Sequence, residues 1–447
     1  MHASAAQASG VIFGWSPLWV ATALFALTYA VIMSDKVNRA IIALTGAGLV
    51  ILLGVADQKE AMNAVDFNTL GLLLGMMLIV NITRRSGLFQ YVAIWSAKKV
   101  GASPWGVMLM MSIVTAVFSA FLDNVTTVLL TVPVTLLITE ELKVKPYPYL
   151  FAQIFASNIG GTATLIGDPP NIMIGSAVGL TFNDFAVNLT PVIVVVLAAT
   201  MLPLYFIWGR HLHATPEDRE RVMKFNEREA ITDVRLLKQS LTVIALVILG
   251  FMLQRQIRIE PATIAIFGAA VLLLVDNLGK DAETQSHNVH AALSEAEWIT
   301  LMFFLGLFVL VYGVEKAGLI HIMAQGLIDF TKGDFPLATV LILWSSAIVS
   351  AFIDNIPFVA TMIPLIKNLA PAFGGEQAIM PLWWALSLGA CLGGNGTLIG
   401  ASANLVVAGL AGRAGIHFRF VEYLKIAFPL MLVSIVISHA YVAWRYL

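Results

Sequence analysis

The chain has 447 residues and a formal net charge of −1; 59% of it is hydrophobic and only 12% is charged. Soluble domains are about 25% charged, so this composition excludes an ordinary water-soluble protein. Lys and Arg are scattered over loops with no basic stripe, which speaks against a nucleic-acid partner. The single cysteine, Cys391, allows neither a disulfide framework nor a multi-thiolate metal site.

In chain order, residues 1–17 read as a short N-terminal tail. No Lys or Arg precedes the first apolar run and a second follows closely, so that run reads as a span rather than a signal peptide. Apolar runs recur at 18–33, 40–55, 67–82, 103–121, 190–208, 240–253, 261–275, 299–314, 336–352 and 425–445. A span needs about 20 apolar residues, somewhat fewer at minimum. The expected fold is an all-α polytopic membrane protein with about 10–12 membrane elements, in a bacterial-type cytoplasmic (inner) membrane.

A polar loop at 210–238 separates a first membrane half, 18–209, from a second, 239–447. It holds Arg210, Arg219, Arg221, Lys224, Arg228, Arg235 and Lys238, which places it in the cytoplasm by the positive-inside rule. The loop at 277–297 is poor in Lys and Arg and is expected on the opposite side. "LWW" at 382–384 reads as an interfacial aromatic anchor.

The halves match each other. "GMMLIVNITRRSGL" (75–88) aligns with "GLFVLVYGVEKAGL" (306–319), and "FLDNVTTVLLTVP" (121–133) with "FIDNIPFVATMIP" (352–364), at one offset. "IGGTATLIGDPPN" (159–171) aligns with "LGGNGTLIGASAN" (392–404) after a shift of two. Duplicated halves, often inverted, are the usual build of secondary transporters.

A carboxylate at bilayer depth costs a few kcal/mol or more, yet each half carries one, Asp123 and Asp354, after an apolar run. Each is followed by an Asn (Asn124, Asn355) and a new apolar helix. This pattern predicts two re-entrant hairpins with polar tips. The stretches 158–175 and 392–404 hold Gly160, Gly161, Gly167, Pro169, Pro170 and Gly175, and Gly393, Gly394, Gly396 and Gly400. No continuous helix tolerates that density, so each predicts a discontinuous helix unwound near the midplane. Thr126, Thr127, Asn158, Thr162, Thr164, Asp168 and Asn171, with Asn395, Thr397, Ser402 and Asn404, complete the expected substrate and ion site. Plainer readings stand beside these: an Asp at a helix start serves as an N-cap, and glycines mark close helix packing.

These motifs resemble the ion transporter superfamily, and within it the ArsB/P-protein branch of arsenite-efflux permeases and the melanosomal P protein. The resemblance runs over nearly the whole chain after about residue 20. The superfamily also holds Na⁺-coupled dicarboxylate carriers, whose tips carry a Ser-Asn-Thr signature. Here Asp123 and Asp354 replace the Ser, Pro357 takes the second tip's hydroxyl position, and Asp168 stands where those carriers commonly have Thr. The substitutions exchange neutral ligands for titratable ones, as proton coupling requires. The resemblance implies a proton-coupled arsenite or antimonite efflux permease in which Asp123 and Asp354 carry the proton. With one thiol, arsenite is held by hydroxyl hydrogen bonds rather than thiolates. Alternatives are a Na⁺/H⁺ antiporter, a Na⁺-coupled anion or dicarboxylate carrier, and a chloride-conducting channel. No nucleophile–base pair, metal constellation or nucleotide motif points to an enzyme or a cofactor. An ATP-driven mode requires a separate ATPase subunit. Homodimer and monomer both remain open.

Overall fold

The computed structural model describes residues 11, 14–34 and 36–447; most of the expected N-terminal tail lies outside them. The described chain is helical throughout, without strands. Each half lays down the same series. The first runs through Phe67–Arg84, Leu88–Lys99, the hairpin Pro104–Phe121/Asn124–Glu141, the broken helix Tyr147–Thr162/Pro169–Val178, and Phe182–Ile207. The second runs through Trp298–Lys316, Leu319–Thr331, Phe335–Phe352/Asn355–Leu369, Met380–Gly393/Ser402–Arg413, and Phe420–Tyr446. Two further helices precede each series: Pro17–Ser34 and Arg39–Leu52 in the first half, Val234–Met252 and Pro261–Asn277 in the second.

Contacts between distant ends fix the sides. Thr232 donates its backbone N–H to Ser86 O at 3.1 Å, and Lys98 pairs with Glu227 at 2.5 Å. Arg219 donates to Gly101 O at 2.7 Å, and Lys143 reaches Asp218 at 3.4 Å. The segment 209–233 therefore lies on the same face as the base of the first hairpin. On the other face Lys316 pairs with Glu60 at 2.5 Å, and Asn183 donates to Met252 O at 2.7 Å. Only Lys59, Arg255, Arg258, Lys316, Lys332, Lys367 and Arg445 populate that second face and its approaches. The first face is the richly basic one, the side that the positive-inside rule expects in the cytoplasm.

The segment 277–297 lies on this same basic face, contrary to the expectation that it would lie opposite the first loop. Arg84 pairs with Glu295 at 2.8 Å, and Arg85 pairs with Asp276. Two crossings, Val234–Met252 and Pro261–Asn277, separate this segment from the first loop, so the chain returns to the side it left. Its acids answer Arg84 and Arg85, and charge pairing explains its low Lys and Arg content.

Each half crosses the membrane an odd number of times. The first half uses Pro17–Ser34, Arg39–Leu52, Phe67–Arg84, the broken helix and Phe182–Ile207. An odd count sends the second half through the bilayer upside down, as the sequence match led one to expect. The hairpin arms Pro104–Phe121 and Phe335–Phe352 are long and apolar enough to cross. Yet the two tips come from opposite faces and meet, so both hairpins turn back inside the protein.

The halves exchange partners along their scaffold. Arg39–Leu52 packs on Trp298–Lys316, and Pro261–Asn277 on Phe67–Arg84. A β-carbon on Gly306 would lie 2.5 Å from the backbone of Ala43, and one on Gly75 2.5 Å from that of Ala265. Small residues let apolar helices approach this closely without water to drive them together.

Gly87 and Gly318 turn the chain after the first helix of each series, at φ +81° and +93°. The conformation costs an L-residue about 1–2 kcal/mol. Around Gly318 a β-carbon would meet nothing within 4 Å, whereas at Gly87 it would lie 1.7 Å from Ala230 O in the inter-repeat loop. Gly318→Ala is expected to show the backbone cost alone. Gly87→Ala is expected to melt several degrees lower than Gly318→Ala in detergent, and equal melting would mean that the loop does not dock there.

"LWW" is not an interfacial belt. Trp383 and Trp384 are 1% and 3% exposed, inside Met380–Gly393, where Trp384 meets Phe185 edge-on at 5.3 Å. The broken helix that carries them is sheathed by protein, which hydropathy alone does not reveal.

Candidate substrate and ion site at the hairpin tips

Both aspartates are N-caps, so the plainer reading of them holds. Asp123 accepts from Thr126 N at 2.8 Å, and Asp354 from Ile356 N at 3.0 Å. A helix N-terminus favours the negative charge of its cap. The caps also bring the following asparagines to one carboxylate from opposite sides. Asn124 Nδ2 donates to Asp168 Oδ1 at 3.2 Å, and Asn355 Nδ2 reaches both oxygens of Asp168 at 3.3 Å. Asp168 is extended, immediately before Pro169–Val178, and fully buried. Thus the two tips and the first unwound loop share a single anionic centre.

Behind that centre lies an amide cluster. Asn158 Nδ2 donates to Asn395 Oδ1 and Asn404 Oδ1, each at 2.9 Å, and its own Oδ1 accepts from Asn124 at 3.3 Å. Asn395 Nδ2 and the Thr127 hydroxyl are buried without a hydrogen-bond partner among the described residues. Thr126 contributes its backbone N–H to Asp123.

Other expected site residues serve the unwound loops instead. Thr164 donates to Ala120 O at 2.5 Å, and Thr397 donates to Ala351 O. Asn171 Nδ2 donates to Thr162 O and Thr164 O at 3.1 and 2.8 Å. Asn404 does the same to Gly394 O and Thr397 O at 2.8 and 2.9 Å. Thr162 donates to Asn158 O at 2.7 Å. These groups satisfy backbone carbonyls freed by the breaks, as irregular backbone at membrane depth requires. Gly160, Gly161, Gly167, Gly393, Gly394, Gly396 and Gly400 all avoid positive φ. A β-carbon on any of these glycines would lie within 3.1 Å of a neighbour. Their role is close approach rather than a left-handed turn. Pro169 and Pro170 open the second arm, where a missing N–H costs nothing.

Two charged residues join the site from outside the motifs. Arg39, at the start of Arg39–Leu52, donates through Nη1 to Asp354 Oδ2 at 3.0 Å and to Ser402 Oγ at 2.5 Å. Its Nη2 donates to Thr300 Oγ1 at 3.2 Å, and the guanidinium stands 5.2 Å from the Phe303 ring centre. Ser402 in turn donates to Asp354 Oδ2 at 2.8 Å. Glu297 accepts from Thr300 Oγ1 at 3.1 Å and faces the same small cavity as Asp123 and Asp168. The only sequence signal for Arg39 is a cation at the edge of an apolar run.

The cavity between the tips is about 10 Å³, room for about one water. A much larger one, about 520 Å³, opens on the outer face. Its walls come from the second hairpin and the first broken helix on one side (Met173, Ser176, Ala360, Lys367) and the scaffold on the other (Asp66, Tyr312). Met173 and Ala360 sit about one helical turn beyond Pro169 and Ile356, which line the inner cavity. Glu60 at its rim is held below the usual carboxylate range, first by the Lys316 hydrogen bond and then by the Asp57 backbone.

This arrangement, with tips and breaks repeated in two inverted halves, is accompanied by a family match. Residues 29–389 fit the CitMHS family, described as citrate transporter. The chain belongs to the CitMHS family. Among relatives of this CitMHS protein, a Mycobacterium tuberculosis protein described as an uncharacterized transporter is 42% identical over 431 residues, covering 96% of this chain and 98% of the relative. The human P protein is 34% identical over 514 residues, covering 95% of this chain and 60% of the P protein. Among solved structures, the Alcanivorax borkumensis YdaH transporter, described as having an unusual topology, aligns with TM-score 0.59 at 16% identity over 96% of this chain and 98% of its own. Neisseria gonorrhoeae MtrF, described with a class of antimetabolite efflux pumps, aligns with TM-score 0.57 at 12% identity, covering 98% and 96%. At such identities the structural likeness concerns the fold. This CitMHS chain is an integral membrane transporter, and the match to the P protein stands while the narrower ArsB assignment does not follow.

Proposed function

We propose that the chain is a proton-coupled secondary transporter working by alternating access, with the coupling proton carried by the tip carboxylates. The observation that carries this is the convergence of Asp123, Asp168, Glu297 and the nearby Asp354 on one small space with Arg39 as the single lining cation among the described residues. Carboxylates held this close cannot all stay ionised without a bound cation or proton. The outer cavity, lying between scaffold and hairpin elements, supplies the access route on one face.

The same excess of negative charge bears on the solute. A free polycarboxylate would be repelled while the aspartates are ionised, although the family description names citrate. An uncharged, oxygen-rich solute meets no such penalty, and the amides of Asn124, Asn158, Asn355 and Asn395 suit it. Arsenite and antimonite, carried out of the cell, are therefore the first substrates to test. A second reading, Na⁺/H⁺ exchange, draws on the size of the inner cavity, which fits one dehydrated ion better than a trihydroxide.

Purified protein in liposomes, with a pH dye and an imposed proton gradient, separates these. Arsenite or antimonite alone dissipating the gradient is the expected result. Dissipation by Na⁺ alone would replace it with the exchanger. No proton movement with any of arsenite, antimonite, Na⁺ or citrate would overturn the coupling.

A further inference from the structure

The two halves are alike except where charge enters them. Ala43 meets Gly306 in one scaffold pair and Ala265 meets Gly75 in the other. Four residues before those alanines stand Arg39 in the first and Pro261 in the second. The symmetry thus delivers one cation to the centre, on the side of the second tip. Arg39 pairs with Asp354 at 3.0 Å, anchored by Ser402, Thr300 and the Phe303 ring. Asp123 has no cation within ion-pairing distance among the described residues. Its carboxylate accepts from the Thr126 N–H and shares its cavity with Asp168 and Glu297.

We propose that Arg39 is a fixed internal counter-cation for Asp354, which makes the two tip carboxylates unequal and leaves Asp123 as the one that takes up the coupled proton. This rests on the proton-coupled reading of the site. An opposite charge at contact distance favours an ionised carboxyl, whereas like charges around a small cavity favour protonation of one of them. The charged groups facing the two tips are Arg39 from the first-half scaffold, Glu297 at the start of Trp298–Lys316, Asp168 from the unwound loop, and the aspartates themselves. Arg39 is a positioning residue: it pairs with Asp354 and leaves Asp123 without a cation at contact distance among the described residues.

The test needs no substrate. Protein in lipid is titrated between about pH 8 and about pH 6, where exposed carboxyls stay ionised, while infrared spectroscopy follows the C=O stretch of protonated carboxyl groups. Asp123→Asn is expected to remove one carboxyl's worth of this signal and Asp354→Asn none. Arg39→Gln is expected to add a signal that is absent from the double variant Arg39→Gln/Asp354→Asn, whose paired loss of charge leaves no buried ion without a partner. An unchanged signal in Asp123→Asn, or an equal loss in Asp354→Asn, would overturn the assignment. A wild-type protein in which no carboxyl becomes protonated within that range would instead overturn the proton-coupled reading itself.

Discussion

Asp123→Asn is expected to lower substrate-driven proton movement by at least about 100-fold, about 2.7 kcal/mol, while the protein stays folded. Asparagine caps a helix about as well as aspartate, so the Thr126 N–H keeps its acceptor and the hairpin tip keeps its shape. What disappears is a titratable group in a cavity of about 10 Å³. Flux in liposomes, beside a size-exclusion profile and melting curve, is the measurement. Coupled flux within threefold of wild type at every pH would remove Asp123 from the mechanism.

The second large effect is structural. Gly160→Val and Gly393→Val are each expected to abolish folded protein. A β-carbon at Gly160 would stand 2.1 Å from Ala116 O, and one at Gly393 2.5 Å from Ala347 O. Both obstacles are helix backbone, which cannot swing aside like a side chain. Overpacking of this kind costs about 3 kcal/mol or more. Gly409→Val is the control, since nothing lies within 4 Å of a β-carbon there. Monodisperse yield in detergent decides, and equal yields for all three variants would mean that the hairpin and the broken helix are not in contact at these points.

Much of this architecture is legible in the sequence because duplication makes it so. The paired "LDN" and "IDN" tips and the two glycine-rich breaks repeat in register, and each repetition constrains the other. The tips and breaks do come together, at Asp168. Roles within the motifs are less legible. Asn171 and Asn404 bear the same amide as Asn124 and Asn355, and Thr164 and Thr397 are uncharged polar residues like them. Their carbonyl partners, such as Ala120 O and Thr162 O, are visible only in three dimensions. Arg39 and Glu297 lie outside every repeated motif and reach the centre through the scaffold. Sidedness of 277–297 was misread because its acids are answered by Arg84 and Arg85, distant in sequence.

The exchange of scaffold partners also sets a timetable for synthesis. Arg39–Leu52 leaves the ribosome long before Trp298–Lys316, so its seat does not exist until a further stretch of more than half of the 447 residues has followed. Until then its small-residue face must be kept from lipid and from other newly made chains by a membrane chaperone or the insertion machinery. Truncation just before residue 298 should therefore yield a fragment that inserts, first half and the two leading helices of the second together, yet is degraded. Supplying the remainder from residue 298 onward as a separate polypeptide should rescue it, so that the protein behaves as an obligate pair that happens to be encoded as one.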